Sequence, residues 1–226
     1  MKKTALLIAA LAVGAGSLRA QDSSYSLTVD FPFVSKYVFR GIQLADESIQ
    51  PSVEFASGDF YAGIWSSQPF TKNIDNEFDF YAGYGVALNE TWSLDFGATY
   101  YLYPETPSTV FEDQFEPFVG LAGDIGGFST AFYLYYETQY ELLTYQGSLG
   151  YSIPLSDAVS FDLAASLGFV DAPGNESYTY WDFGASFSYA INETASAYAG
   201  VTYASNDIGF ADDDFFWVTT GLTISF

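Results

Sequence analysis

The sequence predicts an all-β protein: a transmembrane, antiparallel, up-and-down β-barrel of about twelve strands behind an N-terminal signal peptide. Three observations carry this. Apolar and polar residues alternate with period two in one short segment after another. The connections between those segments alternate strictly between short and long, and the chain ends on an amphipathic strand that closes with an aromatic residue, Phe226.

Residues 1–20 form the expected signal peptide. Lys2 and Lys3 give a positive start, Ala5 to Val13 is a short apolar run, and small residues from Gly14 lead to a cut after Ala20. The run is too short to cross about 30 Å of hydrocarbon as a helix. Lys2, Lys3 and Arg19 leave with it. The remaining domain, 21–226, keeps three basic residues, Lys36, Arg40 and Lys72, against all 28 acids of the chain. A nucleic-acid partner is excluded on that balance, because phosphate binding needs a basic face. Cysteine and histidine are both absent. This removes disulfide scaffolds, thiolate and imidazole metal sites, and nucleophiles that work through histidine or cysteine. No cofactor and no enzymatic role are expected.

The short connections are Ser57–Asp59, Asn89–Glu90, Asp124–Gly127, Pro154–Asp157 and Asn192–Glu193, each built from turn-forming residues. The long ones are Gly41–Gln50, Gln68–Asn76, Pro104–Glu112, Glu137–Glu141, Val170–Ser177 and Ser205–Asp213, most of them acidic. Sorting by parity is a habit of barrels whose short turns face the periplasm and whose long loops face outside. In the segment from Glu77, Phe78, Phe80, Ala82, Tyr84, Val86 and Leu88 share one face, and Glu77, Asp79, Tyr81, Gly83 and Gly85 the other. The segments from Trp92, Val159, Trp181 and Phe216 repeat the division. Placed in lipid, the oily face turns outward and the small polar face lines the lumen. Aromatic residues make up 20% of the chain. Tyr100, Tyr101 and Tyr103, and Tyr133, Tyr135 and Tyr136, precede long loops, where an outer interfacial belt is expected.

The last residues resemble the assembly signal of bacterial outer-membrane barrels, with Thr219, Gly221, Ile224 and Phe226 at the matching positions. That resemblance implies the barrel assembly machinery as a partner, beside outer-membrane lipid. The runs Val34-Ser-Lys-Tyr-Val-Phe-Arg-Gly41, Phe60-Tyr-Ala-Gly-Ile-Trp-Ser66 and Glu77-Phe-Asp-Phe-Tyr-Ala-Gly-Tyr84 resemble the proteobacterial TorF-type porin family, an exported family of unknown function. The resemblance covers residues 34–84 and implies a porin-like role without a defined ligand. The chain departs from the family pattern at Gln43-Leu44 and Pro51, so a shared substrate does not follow.

Lys36 and Arg40 are the basic residues of that motif. Asp30, Glu54, Asp79, Asp95, Glu116, Asp162 and Asp182 alternate onto the proposed lumen face. The simple role for the two cations is to neutralise carboxylates and brace the wall; the sharper one is a constriction that contacts an anionic group of a solute. The acids favour weak cation selectivity. The expected function is passive diffusion of small solutes, cations among them, through the outer membrane. The alternative is a structural or adhesive barrel with a plugged lumen and acidic loops. Asp207 and Asp212–Asp214 lack the oxygen spacing of a calcium loop.

Overall fold

The computed structural model describes residues 25–72, 74–105, 112–209 and 212–226; the proposed signal peptide lies outside these. Among the described residues every regular element is a strand: β1 (Ser26–Val34), β2 (Tyr37–Phe39), β3 (Ile42–Ala45), β4 (Ser48–Ile49), β5 (Ser52–Ser57), β6 (Phe60–Pro69), β7 (Glu77–Ala87), β8 (Trp92–Leu102), β9 (Gln114–Ile125), β10 (Phe128–Glu137), β11 (Leu142–Pro154), β12 (Val159–Asp171), β13 (Tyr178–Ala190), β14 (Ala195–Asn206) and β15 (Asp214–Ser225).

All strands except β2 and β3 form one 13-stranded antiparallel sheet whose ends meet, β15 pairing with β1 from Thr28↔Ser225 to Val34↔Thr219. β4 and β5 both pair with β1 on one side and β6 on the other, on either side of Pro51. They are one wall strand broken where proline cannot donate to the ladder, so the wall has twelve staves. Closure leaves no edge: at the seam Leu27 and Phe226 exchange backbone hydrogen bonds of 3.1 and 2.9 Å. In hydrocarbon, where an unpaired amide has no partner, only such closure is tolerated.

The oily residues point out. Phe132 and Leu167 are each 59% exposed and Phe216 is 57% exposed, whereas their sequence neighbours Ala131 and Phe215 are buried inside. Leu167→Arg, near the middle of β12, is therefore expected to lower stability by about 2–4 kcal/mol in phospholipid vesicles. Ser166→Arg, which faces Asp182, should lose far less, and urea unfolding in vesicles compares the two.

The expected belt of tyrosines needs correction. Tyr100 and Tyr136 do face outward, but Tyr101 and Tyr133 are buried on the inner face, and Tyr135 packs there against Tyr133, ring centroids 5.5 Å apart. Tyr103 also turns inward and donates to Glu77 at 3.1 Å. Consecutive strand residues cannot all serve one interface, because alternate side chains leave the sheet on opposite sides.

The inward tyrosines brace the wall in a repeated way. Tyr81 lies across Gly63 of the neighbouring strand and donates to Glu54 one strand further on, at 3.1 Å. Tyr133 crosses Gly120 to reach Asp95 at 2.8 Å, and Tyr180 crosses Gly168 to reach Gln146 at 2.6 Å. Tyr61 over Gly83 donates to Asp95 at 3.0 Å, and Tyr198 over Gly221 to Asp30 at 2.9 Å. At Gly83, Gly120 and Gly168 a Cβ would stand 2.2–2.5 Å from the ring that crosses it. The absent side chain is what lets each ring lie flat.

Candidate functional site: a hairpin across the lumen

The first long connection differs from its expected course. The motif from Ser35 to Gly41 does not continue the wall strand, as the placement of the loop at Gly41–Gln50 implied. The wall stops at Val34, and β2 and β3 pair only with each other, as a separate hairpin folded into the barrel. Ser35 holds the root: its amide donates to Val218 O at 2.9 Å, and its hydroxyl accepts from the Val218 amide at 2.9 Å. From there the apolar residues of the motif find partners inside. Tyr37 and Ala45 pack with Ala204, Phe215 and Trp217, with Val38, Phe39 and Trp65 against them, while Ile42 joins Val170, Tyr178, Tyr180 and Ile208.

The hairpin turns at Arg40 and Gly41, both at positive φ, 48° and 77°. A two-residue turn of this hand suits a twisted hairpin but favours Asn, Asp or Gly at its first position. Arginine there is strained, at a cost of order 1–3 kcal/mol. Its side chain shows what offsets that cost. The guanidinium crosses to β9 and meets Glu116 bidentately, Nη1 to Oε2 at 2.7 Å and Nη2 to Oε1 at 2.8 Å. Tyr101 of β8 donates to the same Oε1 at 2.9 Å. The rings of Tyr135 and Phe39 lie 4.6 and 4.7 Å from the guanidinium carbon, within cation–π range. Glu116 is 2% exposed. Burial works against the charge on Arg40, but the adjacent Glu116 carboxylate outweighs it and holds the guanidinium more firmly protonated than usual. Burial, and then the carboxylates of Glu77 and Asp79, keep the Tyr37 hydroxyl protonated too.

Gly41 docks the other side of the tip. Its carbonyl accepts from Asn206 Nδ2 at 2.7 Å. The hairpin thus runs from the β1–β15 seam to β9 on one side and β13–β14 on the other. At its level the inward residues around the wall are buried, among them Ser67, Glu77, Tyr101, Thr144, Val170 and Ala204. Toward the short turns Asp30, Glu54, Tyr61, Tyr81, Asp95 and Thr219 are only half-buried. Asp162, Ser186 and Ser188, also toward the short turns, are buried, so the lumen is filled at the hairpin and unevenly packed below it.

The proposed site residues distribute as follows. Lys36 stays on the hairpin and donates to Gln43 at 3.1 Å. Asp30, Glu54 and Asp95 accept from the tyrosines described above, and Asp30 also accepts from Thr223 at 2.7 Å. Asp162 accepts from Ser160 and Ser188 at 2.9 and 2.8 Å and also from Ser152. Asp182 accepts from Ser166, its second oxygen lacking a protein donor. Asp79 lies inside beside Glu77. Arg40 and Glu116 come together; the other acids are spread around and along the wall. Glu77 and Asn206 were missed, although Glu77 shares the polar face of Asp79 in the alternating pattern. Asp207 of the last long loop accepts from the Thr179 amide at 2.6 Å, and Asp214, the first residue of β15, accepts from Tyr203 at 2.6 Å. No cluster of three potential metal ligands occurs among the described residues.

A family model described as "Bacterial protein of unknown function (Gcw_chp)" matches residues 19–219. No relative is detected among curated proteins. Among solved structures, the barrel is similar to the KdgM porin at TM-score 0.63 and 12% identity, covering 88% of this chain and 99% of that one. It is similar to the NanC porin at TM-score 0.59 and 12% identity, covering 88% and 98%. It is also similar to the COG4313 outer membrane channel from Pseudomonas putida F1, at TM-score 0.59 and 9% identity, covering 95% and 100%. At these identities the likeness is one of fold.

Proposed function

The chain belongs to the Gcw_chp family of bacterial proteins of unknown function, and from that premise we propose that it is an outer-membrane, porin-like channel for passive diffusion of small neutral or cationic solutes. Outer-membrane lipid is its surroundings, and the strand ending at Phe226 is its signal to the barrel assembly machinery. The TorF-type label suggested by residues 34–84 agrees with this role.

The observation that carries the reading is a closed barrel, oily outside, whose inner face holds Asp30, Glu54, Asp79, Asp95, Glu116, Asp162 and Asp182 with Arg40 as the one cation of the tip. KdgM has been seen in complex with disordered oligogalacturonate, an acidic sugar polymer. The acid-rich lumen of this chain is electrostatically unsuited to such a solute. In a planar bilayer with asymmetric potassium chloride, the reversal potential is expected to have the sign of weak cation selectivity. A zero or anion-selective value would overturn this.

The filled lumen at the hairpin favours one further reading, a plugged barrel that acts through its acidic loops. Liposome swelling separates the two. A channel admits small sugars at least once the hairpin is released; a structural barrel admits none in either state.

A further inference from the structure

The pocket that holds the Arg40 guanidinium is largely built by the wall. Glu116 comes from β9, Tyr101 from β8 and Tyr135 from β10; only Phe39 and Arg40 itself arrive with the hairpin. If the hairpin left, the wall would retain an inward carboxylate, hydrogen-bonded by one tyrosine and flanked by the face of another. A carboxylate fork beside an aromatic face is the chemistry that recognises a planar guanidinium, or less specifically an alkylammonium.

Two features argue that Arg40 is there as an occupant of the pocket and not only as a latch for the hairpin. Arginine sits at a turn position whose backbone disfavours it. A buried ion pair is also a poor way to gain stability, since apolar residues of similar volume often serve as well or better. The hairpin meanwhile has other anchors, in the Asn206–Gly41 hydrogen bond and the packing of Tyr37 and Ile42.

We propose that Glu116, Tyr101 and Tyr135 form a binding site for the guanidinium or primary ammonium group of a solute, that Arg40 occupies this site as a built-in competitor, and that a cationic solute opens the lumen by taking its place. The site rests on the channel reading and deepens it by naming the solute class. A ligand shifts such an equilibrium only through a binding preference for one state, and here the preference is direct, because ligand and Arg40 exclude one another.

The test uses the refolded full barrel in detergent, its closure checked by heat-modifiable mobility. Isothermal titration of Arg40→Ala with methylguanidinium is expected to show one saturable site, with urea, the neutral analogue, giving no heat. Glu116→Gln in the Arg40→Ala background should weaken binding by about ten- to a hundredfold. Tyr135→Leu in that background, which keeps the carboxylate, should weaken it by about fivefold. Absence of binding to Arg40→Ala, equal binding when Glu116 is also replaced, or equal binding of urea would each overturn the site. Swelling of liposomes carrying the same variants reads the channel independently: binding without any solute entry would retain the site and sink the channel reading.

Discussion

Glu116→Gln is expected to unlatch the hairpin and expose Arg40 to trypsin. In the native barrel the guanidinium is buried and forked onto Glu116. Neutralising the partner leaves a buried charge without compensation, which costs about 3–5 kcal/mol in comparable sites. The hairpin has a way to avoid that cost that a wall strand lacks. It pairs with no wall strand, so it can swing toward the mouth while closure from β15 to β1 remains intact. The scarcity of basic residues makes the readout clean, since trypsin has only Lys36, Arg40 and Lys72 to cut in the chain beyond residue 20. Native protein in vesicles should resist cleavage after Arg40; the variant should be cut there quickly and should admit sugars faster in swelling assays. Full protection of the variant, with unchanged swelling, would mean that the ion pair does not hold the hairpin.

Gly41→Ala is expected to release the same hairpin from its other side. Gly41 has φ +77°, and a Cβ would stand 2.6 Å from the Tyr180 Cβ and 3.0 Å from the Asn206 Cβ. Those atoms sit next to wall backbone and cannot swing aside as the end of a flexible side chain could. Gly58 supplies the control: φ is +63°, but nothing lies within 4 Å of its Cβ position. Gly58→Ala should lose only the left-handed backbone contribution, about 1–2 kcal/mol, with the lumen unchanged. Gly41→Ala adds the clash and should displace Tyr37, whose ring lies 5.4 Å from that of Trp65. A red shift of tryptophan emission in Gly41→Ala, absent in Gly58→Ala, is the expected result. Matching spectra for the two would mean that the tip tolerates the methyl group.

The barrel was legible because its two signals are collective. Face alternation and turn parity recur over the whole chain, so no single segment decides them, and the outward faces of β7, β8, β12, β13 and β15 follow from period two alone. The hairpin was not legible for a local reason. Val34 to Gly41 keeps the alternation of β1, with Tyr37 and Phe39 on one face and Lys36 and Arg40 on the other, so it extends β1 smoothly, and its turn lacks the Asn-Gly or Asp-Gly pair that marks a tight hairpin. Nothing in the order of residues distinguishes a strand facing lipid from one buried in a lumen of tyrosines. Arg40 and Glu116 were each visible as charges that must avoid lipid, but they lie 76 positions apart, and only closure of the sheet brings them together. The tyrosine clusters before the long loops divide between lipid and lumen, because neighbours in a strand leave the sheet on opposite sides.

The tyrosine crossings have one more consequence, for the gauge of the tube. Sliding one stave past its neighbour by two residues preserves which side chains face in and out, so hydrophobic patterning alone does not forbid it. Such a slide would alter the shear of the sheet and with it the tilt and bore. Shifted by two, Tyr133 would lie against Phe118 or Ala122 in place of Gly120, and its ring would collide with a side chain it now passes over freely. The glycines opposite the rings act as notches that fix alignment, and in doing so they set the diameter of the cylinder.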